Sequence, residues 1–444
     1  MGYHAGMRRT QLGIGLILTA YLIAGVLYAS KTPAWQAPDE PAHYNYIRQL
    51  AGGEWPIIAP GDYNQAYQTL VISSRFAPQY SVSSFEYEDY QPPLYYLLLT
   101  PIFRLTAGQL VPLRLASVLL GAGVIGLAYA TARRLFPDQL WLALSVAAFM
   151  AFLPQHVAML SAVNNDSLAE LLIAAMFYCL VVALHRPDPL VSPKTGWALG
   201  LLLGAGFLTK VTAYLMAPVL ALVVIWLGGR DWRAWGRMGG RIFGPALLLG
   251  GAWWLRNIVV YPGLDAFGIA AHDAVVTGQP TTAEWLRQYG GWGTLRAFVT
   301  TTFHSFWGQF GWMGVPMPTW IYRILGLFTL VTAVGALAVE WRPALAPVPT
   351  PGRLVRTLFR ALVGLNVLLY LVYNARYVQH QGRYFFPALL PLSLALALSW
   401  AFWLQPLYRR RPILAYLLPL GLALGLWGLD LLALFQFIVP QLKG

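Results

Sequence analysis

Long apolar runs alternate with short polar connectors along most of the chain. A helix that crosses a bilayer needs ~20 consecutive apolar residues. Runs near that length fall at Leu12–Ala29, Val111–Ala132, Leu140–Leu160, Leu168–Leu184, Thr195–Thr209, Val211–Leu227, Ile242–Tyr261, Ile321–Val339, Leu358–Tyr373, Tyr384–Leu404 and Ile413–Phe437. The pattern predicts an all-α polytopic membrane protein with about 11 transmembrane helices, forming one domain over 1–444 with no separate soluble part. The first run follows Arg8 and Arg9 and is longer than the roughly 7–15 apolar residues of a signal peptide, so it reads as a retained span. Leu94–Leu105 is broken by Pro101 and Arg104 and is short for a span; it predicts a juxtamembrane helix. The weakest pair is Thr195–Leu227, which must form two short spans around Lys210.

Basic residues fix the expected sides. With the N-terminus cytoplasmic, Arg133-Arg134, Arg186, Lys194, Arg230–Arg241, Arg342, Arg353–Arg360 and Arg409–Arg411 all fall in short cytoplasmic connectors, as does the Pro-rich stretch Pro343–Gly352. The opposite side then receives two large loops, Lys31–Leu110 and Pro262–Trp320, the first with juxtamembrane helices. The expected location is the plasma (inner) membrane, with any chemistry on the extracytoplasmic face.

Composition agrees. Of 444 residues, 58% are hydrophobic and 11% charged, against roughly 25% charged in soluble proteins, and mean hydropathy is +0.56. This excludes a soluble globular enzyme and a disordered chain. The net charge of +13 is read as loop arginine rather than as a nucleic-acid surface. A single cysteine, Cys179, leaves no intrachain disulfide. No phosphate-binding glycine loop is present, which argues against an ATP-driven transporter.

Three polar motifs on the expected outer side are candidates for chemistry. In Asp39-Glu40-Pro41-Ala42-His43, Pro41 suits the first turn of a helix, with Asp39 or Glu40 either capping it or serving as a base at the membrane rim. Glu86-Tyr87-Glu88-Asp89-Tyr90-Gln91 runs into Pro92-Pro93 and reads either as a solvated acidic loop or as part of a site. Asp166, in Asn164-Asn165-Asp166-Ser167, caps a span or acts at its edge, two roles that are compatible. Cations on this side, namely Arg48, Arg75, Lys210, Arg256, Arg376 and Arg383, either snorkel to headgroups or hold a lipid phosphate. His272, Asp273, Glu284 and His304 are scattered through the second loop and make no metal motif; an Asp39–His43 metal pair is disfavoured.

Taken in order, the motifs Asp39–Tyr44, Gln91-Pro92-Pro93-Leu94-Tyr95-Tyr96, Asn165-Asp166, Leu208-Thr209-Lys210, Ser305–Met313 and Gln381–Pro387 resemble the polyprenyl-phosphate-dependent glycosyltransferases of the GT-C fold. The likeness is strongest to glycosyltransferase family 39, with its protein O-mannosyltransferases and lipid A aminoarabinose transferases, and within that group it is closer still to the bacterial membrane proteins grouped with them. The resemblance implies an inverting transfer from a polyprenyl-phosphate sugar to an acceptor hydroxyl on a protein, lipid or glycan. It maps the catalytic base onto Asp39, a neighbouring acid onto Glu40 and a further acid onto Asp166. Lys210 and Arg383 match positions suited to the lipid phosphate; His43, Arg48, Asp89, Gln91, Arg256, His304 and Gln381 complete the expected substrate-binding set. The position of Gln91 is commonly His or Lys in that family, which removes a cation here; Asp89 would take over part of its polar role. No cofactor is expected: the cations can neutralise the phosphate, so a divalent metal is not indicated, and membrane lipids are the other expected partners. The competing readings are a secondary transporter or lipid flippase, a polysaccharide polymerase or ligase using Arg287 and Arg296, and a non-catalytic assembly subunit.

Overall fold

Backbone amides inside a bilayer find no water, so the apolar runs must satisfy their hydrogen bonds as helices. In a computed structural model, which describes residues 2–185, 192–341, 348 and 351–443, they do so. The first span lies in α1 (Gly2–Lys31). The polar stretch after it carries α2 (Glu40–Gly52), α3 (Gln65–Ser73) and α4 (Leu94–Leu105). There follow α5 (Leu110–Leu135), α6 (Leu140–Phe152), α7 (Pro154–Leu160), α8 (Asp166–Leu184), α9 (Pro193–Phe207), α10 (Met216–Gly228) and α11 (Trp232–Val260). The second polar stretch holds α12 (Ile269–Val275), α13 (Thr282–Trp307) and an antiparallel hairpin of β1 (Gln309–Phe310) and β2 (Val315–Pro316). There follow α14 (Thr319–Trp341), α15 (Arg353–Arg376), α16 (Leu389–Arg410) and α17 (Leu417–Leu432), and the last span continues through a π-helical stretch (Ala433–Ile438) into α18 (Val439–Leu442).

The expected count of 11 spans is refined. Among the described residues nine helices are long and apolar enough to cross a membrane. The run Leu140–Leu160 is a broken span: α6 and α7 meet at 65°, with Pro154 at the start of α7, where its missing N–H would otherwise end a ladder bond. The helix α9 has only 15 residues, short for a straight crossing; Lys210 stands in extended backbone between it and the turn leading into α10, as the split of Thr195–Leu227 requires. Arg186, Arg342 and most of the connector 343–352 lie outside the described residues.

The helix α5 sits at the centre, against α1, α6 and α8; α11 packs on α9, α14 on α16 and α17 on α6. Small residues permit these approaches: a Cβ at Gly121 of α5 would collide with Tyr21 and Leu160. The helix α4 is a separate apolar helix of 12 residues, short for a crossing as its sequence predicts. Tyr95 and Tyr96 are buried against α2 and α5 while Leu97, Leu98 and Leu105 stay exposed, and the rings of Tyr46 and Tyr96 stack at 3.8 Å. The ends of α1, α7, α9, α11 and α15 and the starts of α8, α10 and α16 all come to one end of the helices, where the polar loops gather.

Candidate active site

Asp39 is the hinge between α1 and α2. Its backbone is left-handed (φ 67°), a conformation that Asp tolerates better than most residues. Pro41 occupies the first turn of α2 as expected, but the Asp39 side chain does not cap that helix. Its carboxylate instead receives Arg383 Nη2 at 2.8 Å and Tyr87 Oη at 3.1 Å. Burial alone would raise this acid, but the charge and hydrogen bond of Arg383, with Lys210 adding to them, hold it below the usual carboxylate range.

Arg383 owes its place to Gly382. A Cβ there would strike the backbone of Thr302 and Phe306 in α13, so only glycine lets the loop before α16 lie this close. Ser305 Oγ accepts the Gly382 amide at 2.7 Å and fixes the approach. On the other side of the site Lys210 Nζ meets Asp166 Oδ1 at 2.6 Å. Asp166 sits in the first turn of α8, where the helix dipole favours a carboxylate, and pairs with Lys210 instead of capping.

A hydrogen-bonded chain joins these parts. Asn165 Nδ2 donates to Tyr96 Oη (3.2 Å) and to Gln91 Oε1 (3.4 Å), and Tyr96 Oη lies 2.8 Å from His43 Nδ1. Burial, with Lys210 nearby, pushes His43 down to about 3, so the ring is neutral and Tyr96 can donate to it. The double proline is tied in by the Leu94 amide, which donates to the Leu208 carbonyl at 2.8 Å.

Around these groups lies a cavity of about 670 Å³, lined on its polar side by Asp39, His43, Gln91, Asp166, Lys210, Gln381 and Arg383. Seven of the residues read from the sequence therefore converge. Five do not. Glu40 is fully buried away from the cavity: both its oxygens are taken by Arg114 (2.7 and 2.6 Å), and it also accepts the amides of Val163 and Trp35. Glu40 is a tie between α1, α2 and α5, which corrects the expectation that it acts on substrate. Arg48 faces outward in a pair with Glu86 at 2.9 Å. Asp89 is turned into the protein against Gln49. Arg256 donates to the Pro56 carbonyl and stacks on Trp253. His304 stacks on Tyr322 at 3.6 Å. None of these four lines the cavity. Arg287 and Arg296 are exposed outside it as well, which takes away the arginines that a polymerase reading requires.

Glu88 is the acid that sequence reasoning passed over. It lines the cavity, and its Oε2 is buried without a partner. Burial and the Asp39 charge push it up to about 8 against the pull of Lys210. Asp39 and Glu88 thus differ within one cavity, Asp39 held ionised by Arg383 and Glu88 pushed toward its protonated form by burial and the Asp39 charge. Alternation around Glu86-Tyr87-Glu88-Asp89 gave no means of choosing among the three acids. Trp312 and Met313 also reach the cavity, both at positive φ in the β1–β2 turn, with Trp312 Nε1 donating to the Trp35 carbonyl at 2.9 Å. Among the described residues no three His, Cys, Asp or Glu side chains gather as metal ligands.

Residues 90–239 match the family model of dolichyl-phosphate-mannose-protein mannosyltransferases. Among solved structures, ArnT from Cupriavidus metallidurans in the apo state is similar at TM-score 0.53 and 15% identity, over 99% of this chain and 74% of that one. The apo oligosaccharyltransferase of Archaeoglobus fulgidus gives TM-score 0.52 and 13% identity over 97% of this chain and 55% of that one. The Saccharomyces cerevisiae Pmt1–Pmt2 protein O-mannosyltransferase complex bound to the sugar donor gives 18% identity and TM-score 0.41, over 58% of this chain and 34% of that chain. The chain thus spans about a third of the yeast chain and about half of the archaeal one. No curated protein sequence matches it.

Proposed function

On the premise that the chain has the GT-C fold and is like glycosyltransferase family 39, we propose that it transfers a sugar from a polyprenyl-phosphate donor to an acceptor hydroxyl, with inversion, at the cavity around Asp39. The observation that carries this reading is the placement of an ionised carboxylate beside two cations, Arg383 and Lys210, at the rim where helix ends meet a cavity.

The donor phosphate is an anion that competes with Asp39 for Arg383 and with Asp166 for Lys210. When it takes the guanidinium, Asp39 loses the partner that keeps it weakly basic and becomes a better proton acceptor. The acceptor oxygen then attacks the anomeric carbon and its proton passes to Asp39. The bond from that carbon to the phosphate oxygen breaks, and polyprenyl phosphate leaves with its charge held by Lys210 and Arg383. Glu88, still protonated, adds no second negative charge where the phosphate sits. The outer face of a plasma membrane is the location that the arginine pattern supports.

Label transfer tests the reading. The purified chain in lipid nanodiscs is given a polyprenyl-phosphate sugar labelled in the sugar, together with an envelope extract as acceptor. Label is expected to leave the prenyl lipid and appear in a product that resists mild acid. Movement of intact labelled lipid across the bilayer, with no cleavage, would instead make the chain a transporter.

A further inference from the structure

We propose that the loop-built half of the cavity is a subsite for a neutral oligosaccharide, so that the acceptor is a glycan rather than a peptide or a charged lipid. The proposal rests on the glycosyl-transfer reading of the same cavity and adds to it the class of acceptor.

The first observation is an amide wall. Gln65 and Gln68 of α3, Gln279 before α13, and Gln379 and Gln381 before α16 all line the cavity, from three separate segments. Three of them are linked: Gln381 Nε2 donates to Gln379 Oε1 at 2.7 Å, and Gln379 Nε2 lies 3.4 Å from Gln279 Oε1. Gln65 Oε1 accepts from the hydroxyl of Tyr63. Gln381 Oε1 is buried with no partner. A primary amide presents a donor pair and an acceptor in one plane, which matches neighbouring hydroxyls on a sugar ring; a hydroxyl reaching Gln381 Oε1 would satisfy an atom that the protein leaves bare.

The second observation is aromatic. Tyr373 lies edge-on to Tyr384 at 5.9 Å and beside Tyr377 at 5.9 Å, and all three line the same cavity. Flat rings next to amides suit the C–H faces of a pyranose or furanose, whose edges carry the hydroxyls.

The third observation is charge. Every cation in the lining has a carboxylate partner: Arg376 with Asp273 at 2.7 Å, Arg383 with Asp39 and Lys210 with Asp166. The latter two stand beside Asp39, where the donor phosphate is needed. The Arg376–Asp273 pair, with His272 against Asp273, closes the loop half electrically. An anionic headgroup there would meet a single, largely exposed cation already held by a carboxylate, against two cations beside Asp39. Strand addition, one of the ways a peptide is held, is not on offer here, because the strand edge at this place is spent inside the chain, in the Thr281–Tyr377 bridge and the Val378 to Pro280 bond of 3.0 Å. The donor sugar does not account for the wall either, since a sugar on the phosphate held by Lys210 and Arg383 stays beside Asp39, whereas Gln65, Gln68 and Gln279 come from the loops.

The test is equilibrium binding to the full chain in nanodiscs. The probes are short neutral mannan, glucan, galactan and arabinan oligosaccharides, a Ser/Thr-rich peptide, a phosphorylated glycolipid and undecaprenyl phosphate. At least one neutral oligosaccharide is expected to bind saturably. Gln279→Ala and, separately, Gln68→Ala should each weaken it by about tenfold, the loss of one or two hydrogen bonds, while undecaprenyl phosphate binds as before. Absence of binding by every neutral oligosaccharide overturns the proposal, as does binding of the peptide or the phosphorylated glycolipid that the same variants weaken. Weakening of undecaprenyl phosphate in step with the oligosaccharide would assign the wall to the donor and equally overturn it. The transfer reading fails separately, if the labelled donor is never cleaved.

Discussion

At the scale of single residues the site is a balance between three carboxyls, Asp39, Asp166 and Glu88, and two cations, Lys210 and Arg383. Glu88 gives the most direct view of that balance. It is neutral below about 8, and its ionisation would put a second negative charge beside Asp39 and against the donor phosphate. Turnover is therefore expected to fall as pH rises through about 8, and Glu88→Gln, fixed neutral, should lose that basic limb while keeping activity at neutral pH. An unchanged limb in the variant would remove Glu88 from the site's electrostatics. The sign for stability is the same: the raised carboxyl favours the folded state most below its ordinary range of 4.5, and that contribution is lost as pH rises to about 8. Asp166, Lys210 and Arg383 were legible in the sequence because each flanks an apolar run, where polar side chains are conspicuous, and Asp39 and His43 because they frame the proline that opens a helix after the first span. Glu88 was not legible, since its orientation depends on the turn that buries Asp89 against Gln49 and directs Arg48 to Glu86. Glu40 misled for the opposite reason: it is adjacent to Asp39 in the chain, but one helical position turns it toward Arg114.

At the scale of elements, the polar contacts outside the cavity set the frame. Arg114 donates to Glu40 and to the carbonyls of Ala29, Thr32 and Pro33, binding the end of α1 to α2 and α5. Removing one partner of a buried, fully bonded pair costs roughly 3–5 kcal/mol. Glu40→Ala is thus expected to lower the melting temperature and yield, and any folded fraction should bind undecaprenyl phosphate normally; a stable variant with lost turnover would restore Glu40 to the chemistry. Asp430 in α17 is the converse. It is fully buried with neither carboxyl oxygen partnered, a costly arrangement in an apolar surrounding. Asp430→Leu should hold or raise the melting temperature, and a fall of several degrees would mean that the carboxyl has a partner in the folded protein. The elements themselves were largely readable, because a bilayer allows helices and little else. The break between α6 and α7 and the shortness of α9 were not, since neither Pro154 nor Lys210 by itself tells a kinked span from two.

At the scale of the molecule, loops, helix ends and cavity lie at one end, and the proposed topology, read from the arginine pattern, turns that end outward. Cys179 is the only cysteine, so a Cys179→Ser background with Ser83→Cys in the exposed first loop reports the side directly. A membrane-impermeant maleimide is expected to label intact cells, whereas labelling only after lysis would reverse the topology. Transfer depends on Asp39 taking the acceptor proton while its guanidinium partner is claimed by the donor phosphate. Its most direct test pairs two readings on Asp39→Asn: release of polyprenyl phosphate from a labelled donor, and binding of undecaprenyl phosphate. Release should fall by about a hundredfold or more, the usual worth of a general base, while the lipid phosphate binds at least as tightly, because a competitor for Arg383 has been neutralised. Turnover close to that of the unmodified chain, or loss of lipid binding together with turnover, would contradict it.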